Sequence, residues 1–181
     1  MPDDASTIAG APKPGPLAVP STAAVVTGCS SGIGRAVAVA LHEAGYPVYA
    51  TARNAATLVE LAEAGMTTLA LDVTDQDSMA AAVAAVVADH GAVGVLVNNA
   101  GYALQGAVEQ TPLDEVRRQF ETNVFGLVAL TQPVLPGMRP QPWARMPGST
   151  SWVRATRPNT FVSNWRRTSS SGVCSTAPCS A

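Results

Sequence analysis

Between an apolar run, Ala23-Ala24-Val25-Val26-Thr27, and a stretch in which Ile33, Val37 and Leu41 recur every four residues lies Thr27-Gly28-Cys29-Ser30-Ser31-Gly32-Ile33-Gly34. The apolar run reads as a buried strand and the recurrence as a helix, so the glycines fall on a tight strand-to-helix turn. A turn that sharp needs residues without a Cβ. It also aims backbone N–H groups, and with them the positive end of the helix dipole, at one point where a pyrophosphate can sit. Taken alone the segment also reads as a merely Gly-rich turn, and the rest of the chain has to decide between the two.

The rest alternates in the same way. Strand one ends at Gly28 and its helix stops at Gly45; a second strand covers about Val48 to Ala52, a short helix about Ala55 to Ala64, and a third strand Thr67 to Leu71. Asp75 then caps an Ala/Val-rich helix ending near Gly91, and a fourth strand runs from Val93 to Val97. Pro112, at an N1-like position, opens a helix bearing Val116, Phe120, Val124 and Leu127. Strands alternating with helical periods predict an α/β fold, a parallel sheet flanked by helices.

Composition limits the partners. Thirteen acidic against eleven basic residues leave a net charge of −2, so no global positive field recommends nucleic acid or an anionic membrane. The longest apolar run, Met79 to Ala88, is bounded by Asp77 and Asp89 and is too short to cross a bilayer. Asp3 and Asp4 stand where a secretory signal needs positive charge, so a cytoplasmic protein is expected. Cys29, Cys174 and Cys179 are too few for a disulfide framework, and neither they nor His42 and His90 have the spacing of a metal site. Cys29 reads as a small filler, and the two histidines as surface residues near helix ends.

Charge is unevenly distributed. Every acidic residue lies at or before Glu121, whereas Arg139, Arg145, Arg154, Arg157, Arg166 and Arg167 follow with no acid among them, together with all three tryptophans. The expected division is a flexible Pro/Gly-rich leader over 1–22, a folded domain over 23–138, and an irregular, disordered Arg/Ser/Pro-rich tail over 139–181.

Residues 27–34 match Thr-Gly-x-x-x-Gly-x-Gly throughout, and Asp72, Asn98-Asn99-Ala100-Gly101 and Asn123 follow in order. In these four motifs the chain, over roughly residues 23–138, resembles the short-chain dehydrogenase/reductase family. The resemblance implies a Rossmann-like doubly wound parallel sheet, here truncated after the fourth strand, and hydride transfer between a nicotinamide dinucleotide and a small alcohol or carbonyl substrate. It implies cofactor contacts from Thr27, Gly28, Ser30, Ser31, Gly32, Ile33, Gly34, Asp72, Val73, Asn99, Ala100 and Gly101. Asn123 is the one catalytic candidate, since in relatives this Asn holds a helix kink and a proton-relay water. Asp72 also reads as a polar strand terminus, although the carboxyl edge of a parallel sheet is where nucleotides bind.

Strand two ends in Ala52-Arg53. An NAD site places Asp or Glu there for the ribose 2′-OH, whereas Arg53 can pair with a 2′-phosphate, so NADP is expected over NAD. The other reading of Arg53 is an exposed cation starting a loop.

The chemistry departs from the family. Relatives protonate the carbonyl from a Tyr whose pKa is lowered by a Lys four residues later, aided by a Ser. The only tyrosines here are Tyr46, Tyr49 and Tyr102, and the only lysine is Lys13, so no Tyr-x-x-x-Lys exists; Ser149 and Ser151 are assigned no role. The family's later strands and helices, with their substrate pocket and oligomer interface, have no counterpart, which would leave strand four an open edge. A reading-frame shift near Arg139, or a sequencing error that mimics one, is the simplest cause. Two functions follow: an NADP(H)-dependent oxidoreductase by descent, truncated and inactive in this form, or a non-enzymatic protein that binds nucleotide or works through its Arg/Trp tail.

Overall fold

The computed structural model describes residues 21–141 and 144–148, so the leader and most of the tail lie outside the described residues. The chain forms β1 (Ala24–Val26), α1 (Gly32–Glu43), β2 (Val48–Ala52), a 3-10 turn (Ala55–Leu58) running into α2 (Val59–Glu63), β3 (Thr67–Ala70), α3 (Gln76–His90) and β4 (Val95–Val97). After a second 3-10 turn (Val108–Gln110) come α4 (Leu113–Phe120), a π-helical turn (Glu121–Phe125) and α5 (Gly126–Met138).

The four strands are all parallel and lie in the order β3-β2-β1-β4, which is the doubly wound α/β arrangement. Side chains alternate between faces along each strand, so both faces must be covered. Val25, Tyr49 and Leu96 pack with Met79 and Val86 of α3 and Leu130, Val134 and Met138 of α5. Val26, Val48, Ala50, Val95 and Val97 pack on the other face with Ala38 of α1 and Leu58 and Leu61 around α2. Each such fully buried aliphatic side chain contributes about 1.5–3 kcal/mol relative to exposure. β3, at the sheet edge, is partly exposed.

Several local expectations need correction. The buried stripe of α1 starts at Gly34 and passes through Ala38, while Ile33 is 64% exposed, because a helix this close to the sheet puts its smallest residues inward. β4 begins at Val95, not Val93, although Val93 is buried. Pro112 is the N-cap of α4, with ψ at 135, not its first helical residue. The single period expected from Val116 to Leu127 is interrupted by the π-helical turn, whose extra residue rotates the face: Phe120 is 52% exposed and Leu127 buried. Asp75 caps α3 as expected, its Oδ1 accepting from the N–H groups of Asp77 at 2.9 Å and Ser78 at 3.2 Å, and Gly91 closes the helix at φ 74.

The outer edge of β4 is not open. Ala144–Gly148 lies along it through two isolated parallel bridges, Val95 to Arg145 and Asn98 to Gly148. Arg145 N donates to Gly94 O at 3.1 Å, and Leu96 N and Asn98 N donate to Arg145 O and Pro147 O, both at 3.0 Å. Ala144 and Met146 are buried against the core. The sheet itself still ends with its fourth strand.

Candidate functional site

The order of the sheet reverses at β1 and β4, and the two strands are in register, Val26 opposite Val97. The glycine turn therefore leaves the carboxyl edge beside Asn98-Asn99-Ala100-Gly101. Thr27 Oγ1 joins the two loops, accepting from Asn99 N at 3.0 Å and Ala100 N at 2.8 Å while donating to Val97 O at 3.3 Å. Asn99 Nδ2 donates back to Thr27 O at 2.9 Å and Gly28 O at 3.2 Å. Gly28, at φ 73, would bring a Cβ to 2.9 Å from Ala100 Cα, and a Cβ on Gly34 would strike Asn99 Nδ2 and Gly28 O. These two glycines are needed for close approach, whereas a Cβ on Gly32 would meet only open space, its demand for glycine being φ 60.

The N-terminus of α1 faces out of this junction. Ser31 occupies its N-cap position, yet no side chain caps the helix and its first turn carries no acid. Cys29 is buried just below, its Sγ 3.2 Å from Val26 O, and burial pushes the thiol up to about 11, so it is an inert filler.

A cleft of about 1310 Å³ opens at this edge. Of the residues singled out in the sequence, Gly28, Ser30, Ser31, Ile33, Arg53, Asp72, Val73, Asn99, Ala100, Gly101 and Asn123 line it. Thr27 and Gly34 are buried behind it, and Gly32 is exposed without lining it. Ala52, Leu71, Thr74, Tyr102, Ala103, Arg118, Gln119, Glu121 and Thr122 also line it and were not foreseen. The only sequence signal for the α4 residues is their position within two turns before Asn123.

Asp72 and Arg53 leave adjacent strand ends. β3 pairs Ala70 with Ala52 of β2, and Leu71 N donates to Ala52 O at 2.9 Å. Asp72 Oδ1 accepts from Thr74 N at 2.9 Å and Thr74 Oγ1 at 2.7 Å, and Asp72 N donates to Ser78 Oγ at 3.0 Å. Burial alone would raise the Asp72 pKa, but the two bonds from Thr74 and the charge of Arg53 outweigh it and hold the carboxyl below its ordinary value. Arg53 is exposed and has no carboxylate within ion-pair distance among the described residues.

Asn123 lies in the π-helical turn. Its Oδ1 accepts from Tyr102 N at 3.0 Å and its Nδ2 donates to Tyr102 O at 2.7 Å, while Gln119 Nε2 donates to the same carbonyl at 3.1 Å. A Cβ on Gly101 would come 2.9 Å from Asn123 Oδ1, and one on Gly126 would come 2.9 Å from Val73 Cγ2. The turn thus pins the loop after β4, on one side, and packs on the loop after β3, on the other. Tyr102 is the one tyrosine in the cleft, 46% exposed. Tyr49 lies elsewhere, its OH donating to Asp89 Oδ2 at 2.6 Å and its ring edge-on to His90 at 5.7 Å. Burial first, and then Asp89, push the Tyr49 phenol up to about 12, which makes it a structural group. Lys13, Ser149 and Ser151 lie outside the described residues. No helix among the described residues is long and apolar enough to cross a membrane, and no group of three or more His, Cys, Asp or Glu among them could hold a metal.

Comparison with known proteins agrees with this geometry. The short chain dehydrogenase family model matches residues 22–149, running past Arg139 into the segment that lies along β4. A probable short-chain type dehydrogenase/reductase, VdlC of Helicobacter pylori, is 37% identical over 123 residues, covering 68% of this chain and 45% of its own. The uncharacterized oxidoreductase YusZ of Bacillus subtilis is 44% identical over 124 residues, covering 64% and 44%. A crystal structure of a short-chain dehydrogenase from Streptomyces avermitilis superimposes with a TM-score of 0.67 at 41% identity, over 71% of this chain and 48% of that one. The chain therefore spans less than half the length of these proteins. With its glycine turn, its parallel sheet and its Asn-bearing helix all in the matched region, the chain belongs to the short chain dehydrogenase family, whose members are NAD(P)-dependent oxidoreductases acting on small molecules.

Proposed function

We propose that the described domain is the NADP(H)-binding part of an oxidoreductase that interconverts an alcohol and a carbonyl, and that this chain by itself binds the dinucleotide without turning over. The carrying observation is the α1 N-terminus, uncapped by any side chain and free of acid, beside Ser30 and Ser31 on the cleft wall. Its unshared N–H groups and dipole suit the charge of a pyrophosphate, so the donor set fits a dinucleotide.

In this reading the glycine turn with Ser30, Ser31, Gly32 and Ile33 holds the pyrophosphate, and Thr27 and Gly34 hold the turn. Arg53 holds the 2′-phosphate that distinguishes NADP from NAD. Asp72 Oδ1 is occupied by Thr74, which leaves Oδ2 to accept from the adenine amino group beside Val73. Asn99, Ala100 and Gly101 form the wall along the sugar. When bound, the nicotinamide supplies or takes up a hydride. Asn123 fixes the loop through Tyr102, but a proton donor paired with a lysine is absent from the sequence, and that absence supports binding without turnover. A nucleotide-binding protein with no reaction of its own is the lesser alternative, since the family matched is one of oxidoreductases. The cytoplasm, where NADP(H) is available, suits either.

Calorimetric titration with NADPH and NADH tests the assignment. Tighter binding of NADPH, reduced about tenfold in Arg53→Ala, is expected for a lost charge-assisted phosphate contact. Equal affinities for the two, unaltered in the variant, overturn it. A carbonyl and alcohol panel followed by nicotinamide absorbance should show no turnover; robust turnover abolished by one substitution in this chain would reveal another proton donor. For the tail we propose a shifted reading frame that begins near Arg139 or, since the family model still matches the segment along β4, no later than about residue 149. Translation of the other two frames beyond that codon should recover Tyr-x-x-x-Lys, and its absence from both would make the Arg/Trp tail an evolved segment.

A further inference from the structure

The cleft carries charges of both signs where the 2′-phosphate is assigned. Arg53 follows Ala52 at the end of β2, and Asp72 lies two residues beyond Ala70, the partner of Ala52 on β3. Neighbouring strands run about 4.8 Å apart, so the two residues start from backbone positions about one strand spacing and one residue step apart. Both line the cleft. Asp72 is held in place: Thr74 donates twice to its Oδ1, and its N–H is tied to Ser78 Oγ on α3. Arg53, by contrast, is exposed and meets no carboxylate within ion-pair distance among the described residues. A fixed anion therefore stands beside an exposed cation that has no carboxylate in contact among the described residues.

We propose that Asp72 is a specificity-determining residue that works against Arg53, its fixed negative charge opposing a 2′-phosphate so that preference for NADP(H) over NAD(H) is set by the difference between the two side chains. The proposal rests on the assignment of Arg53 above and extends it. Unit charges roughly 7 Å apart in water alter an equilibrium about threefold at low ionic strength, and groups borne by adjacent strand ends, one strand spacing and one residue step apart, fall in that range. The same carboxylate that accepts from adenine thus limits how strongly the neighbouring phosphate is held, and removing its charge should increase selectivity for the phosphorylated coenzyme.

Adenosine 2′,5′-bisphosphate and adenosine 5′-monophosphate differ only in the 2′-phosphate, and the test is their affinity ratio for the full chain by calorimetry. In Asp72→Asn the ratio should rise about threefold in favour of the bisphosphate, and added salt should shrink the gain by screening. In Arg53→Ala it should fall. Asp72→Ser keeps a turn-forming oxygen without the charge and serves in place of Asp72→Asn if that variant does not fold. A ratio unchanged or lowered in the neutral variant overturns the proposal while leaving the dinucleotide reading intact. A folded Asp72→Asn that binds neither nucleotide also overturns it, because the negative charge would then be required for binding instead of opposing the phosphate. If the parent chain binds neither, the dinucleotide reading falls and this proposal with it.

Discussion

Helices α1 and α3 both begin just past the carboxyl ends of parallel strands, and their first turns are built in opposite ways. α3 is closed by its own sequence: Asp75 accepts from Asp77 N and Ser78 N, and Asp77 adds a second acid to the first turn. α1 has a serine at the cap position that caps nothing, and no acid. A capping side chain is worth about 1 kcal/mol, and acids in the first turn add about 0.3–1 kcal/mol through the dipole. α1 forgoes both, and it is the helix whose N-terminus opens on the cleft. α2 and α4 also start without a side-chain cap, but each carries an acid in its first turn, so among α1 to α4 only α1 leaves its start free of both cap and acid, with room for a ligand's charge.

The largest effect should come from the packing that holds α1 in position. Gly34→Val places a branched side chain against Asn99 and the Gly28 carbonyl, and backbone cannot yield as a flexible side chain can. A loss of about 3 kcal/mol or more, seen as a collapsed unfolding transition in thermal denaturation, is expected. Ala80→Val, on the exposed side of α3, should cost about 0.5 kcal/mol by helix propensity alone. Similar losses at the two sites would break the comparison.

An exchange of caps is the sharper test. Ser31→Asp gives α1 the cap that α3 has, so it should keep or gain about 0.5–1 kcal/mol of stability while lowering affinity for NADPH at least tenfold, the carboxylate repelling the pyrophosphate. Asp75→Ala should do the reverse, costing about 1 kcal/mol in denaturant melts with nucleotide affinity unchanged. If Ser31→Asp binds as tightly as the parent, the α1 terminus does not face the ligand's charge.

The smallest effect is in pH. Asp72 has a folded-state pKa below its unfolded value, so near pH 4 the unfolded chain binds more protons and stability rises with pH. Its contribution is present above about pH 4 and lost as pH falls through the folded value. The protection factor of the Thr74 amide, whose N–H is held by Asp72, should therefore fall on acidification more than that of the buried Ala38 in α1, each rate being divided into the intrinsic rate at the same pH. Equal loss of protection at both would show that acid acts on the whole domain instead of on the turn into α3.

The sequence by itself determined the features that depend on residues close together in the chain. Strand and helix alternation, the glycine turn, the Asp75 cap and the Gly91 stop were all legible, because a turn, a cap or a period is completed within a few residues. What needed the tertiary structure depends on segments far apart. The apolar recurrence points to Ile33 as an inward residue, and only the sheet and Asn99, which crowd Gly34, turn that face inward and leave Ile33 exposed. The π-helical turn, invisible to a periodicity argument, is stabilised where Asn123 bonds Tyr102 across the cleft and Gly126 meets Val73. Arg118, Gln119, Glu121 and Thr122 line the cleft because α4 and this turn come back against the loop after β4, where Gln119 also bonds the Tyr102 carbonyl. Ala144–Gly148 has no readable strand pattern and includes Pro147, yet it lies along β4, because unpaired backbone groups at a sheet edge accept any extended segment that supplies partners. Local chemistry fixes which elements form, whereas the backbone and side-chain contacts between distant elements decide which faces they bury and which residues share a site.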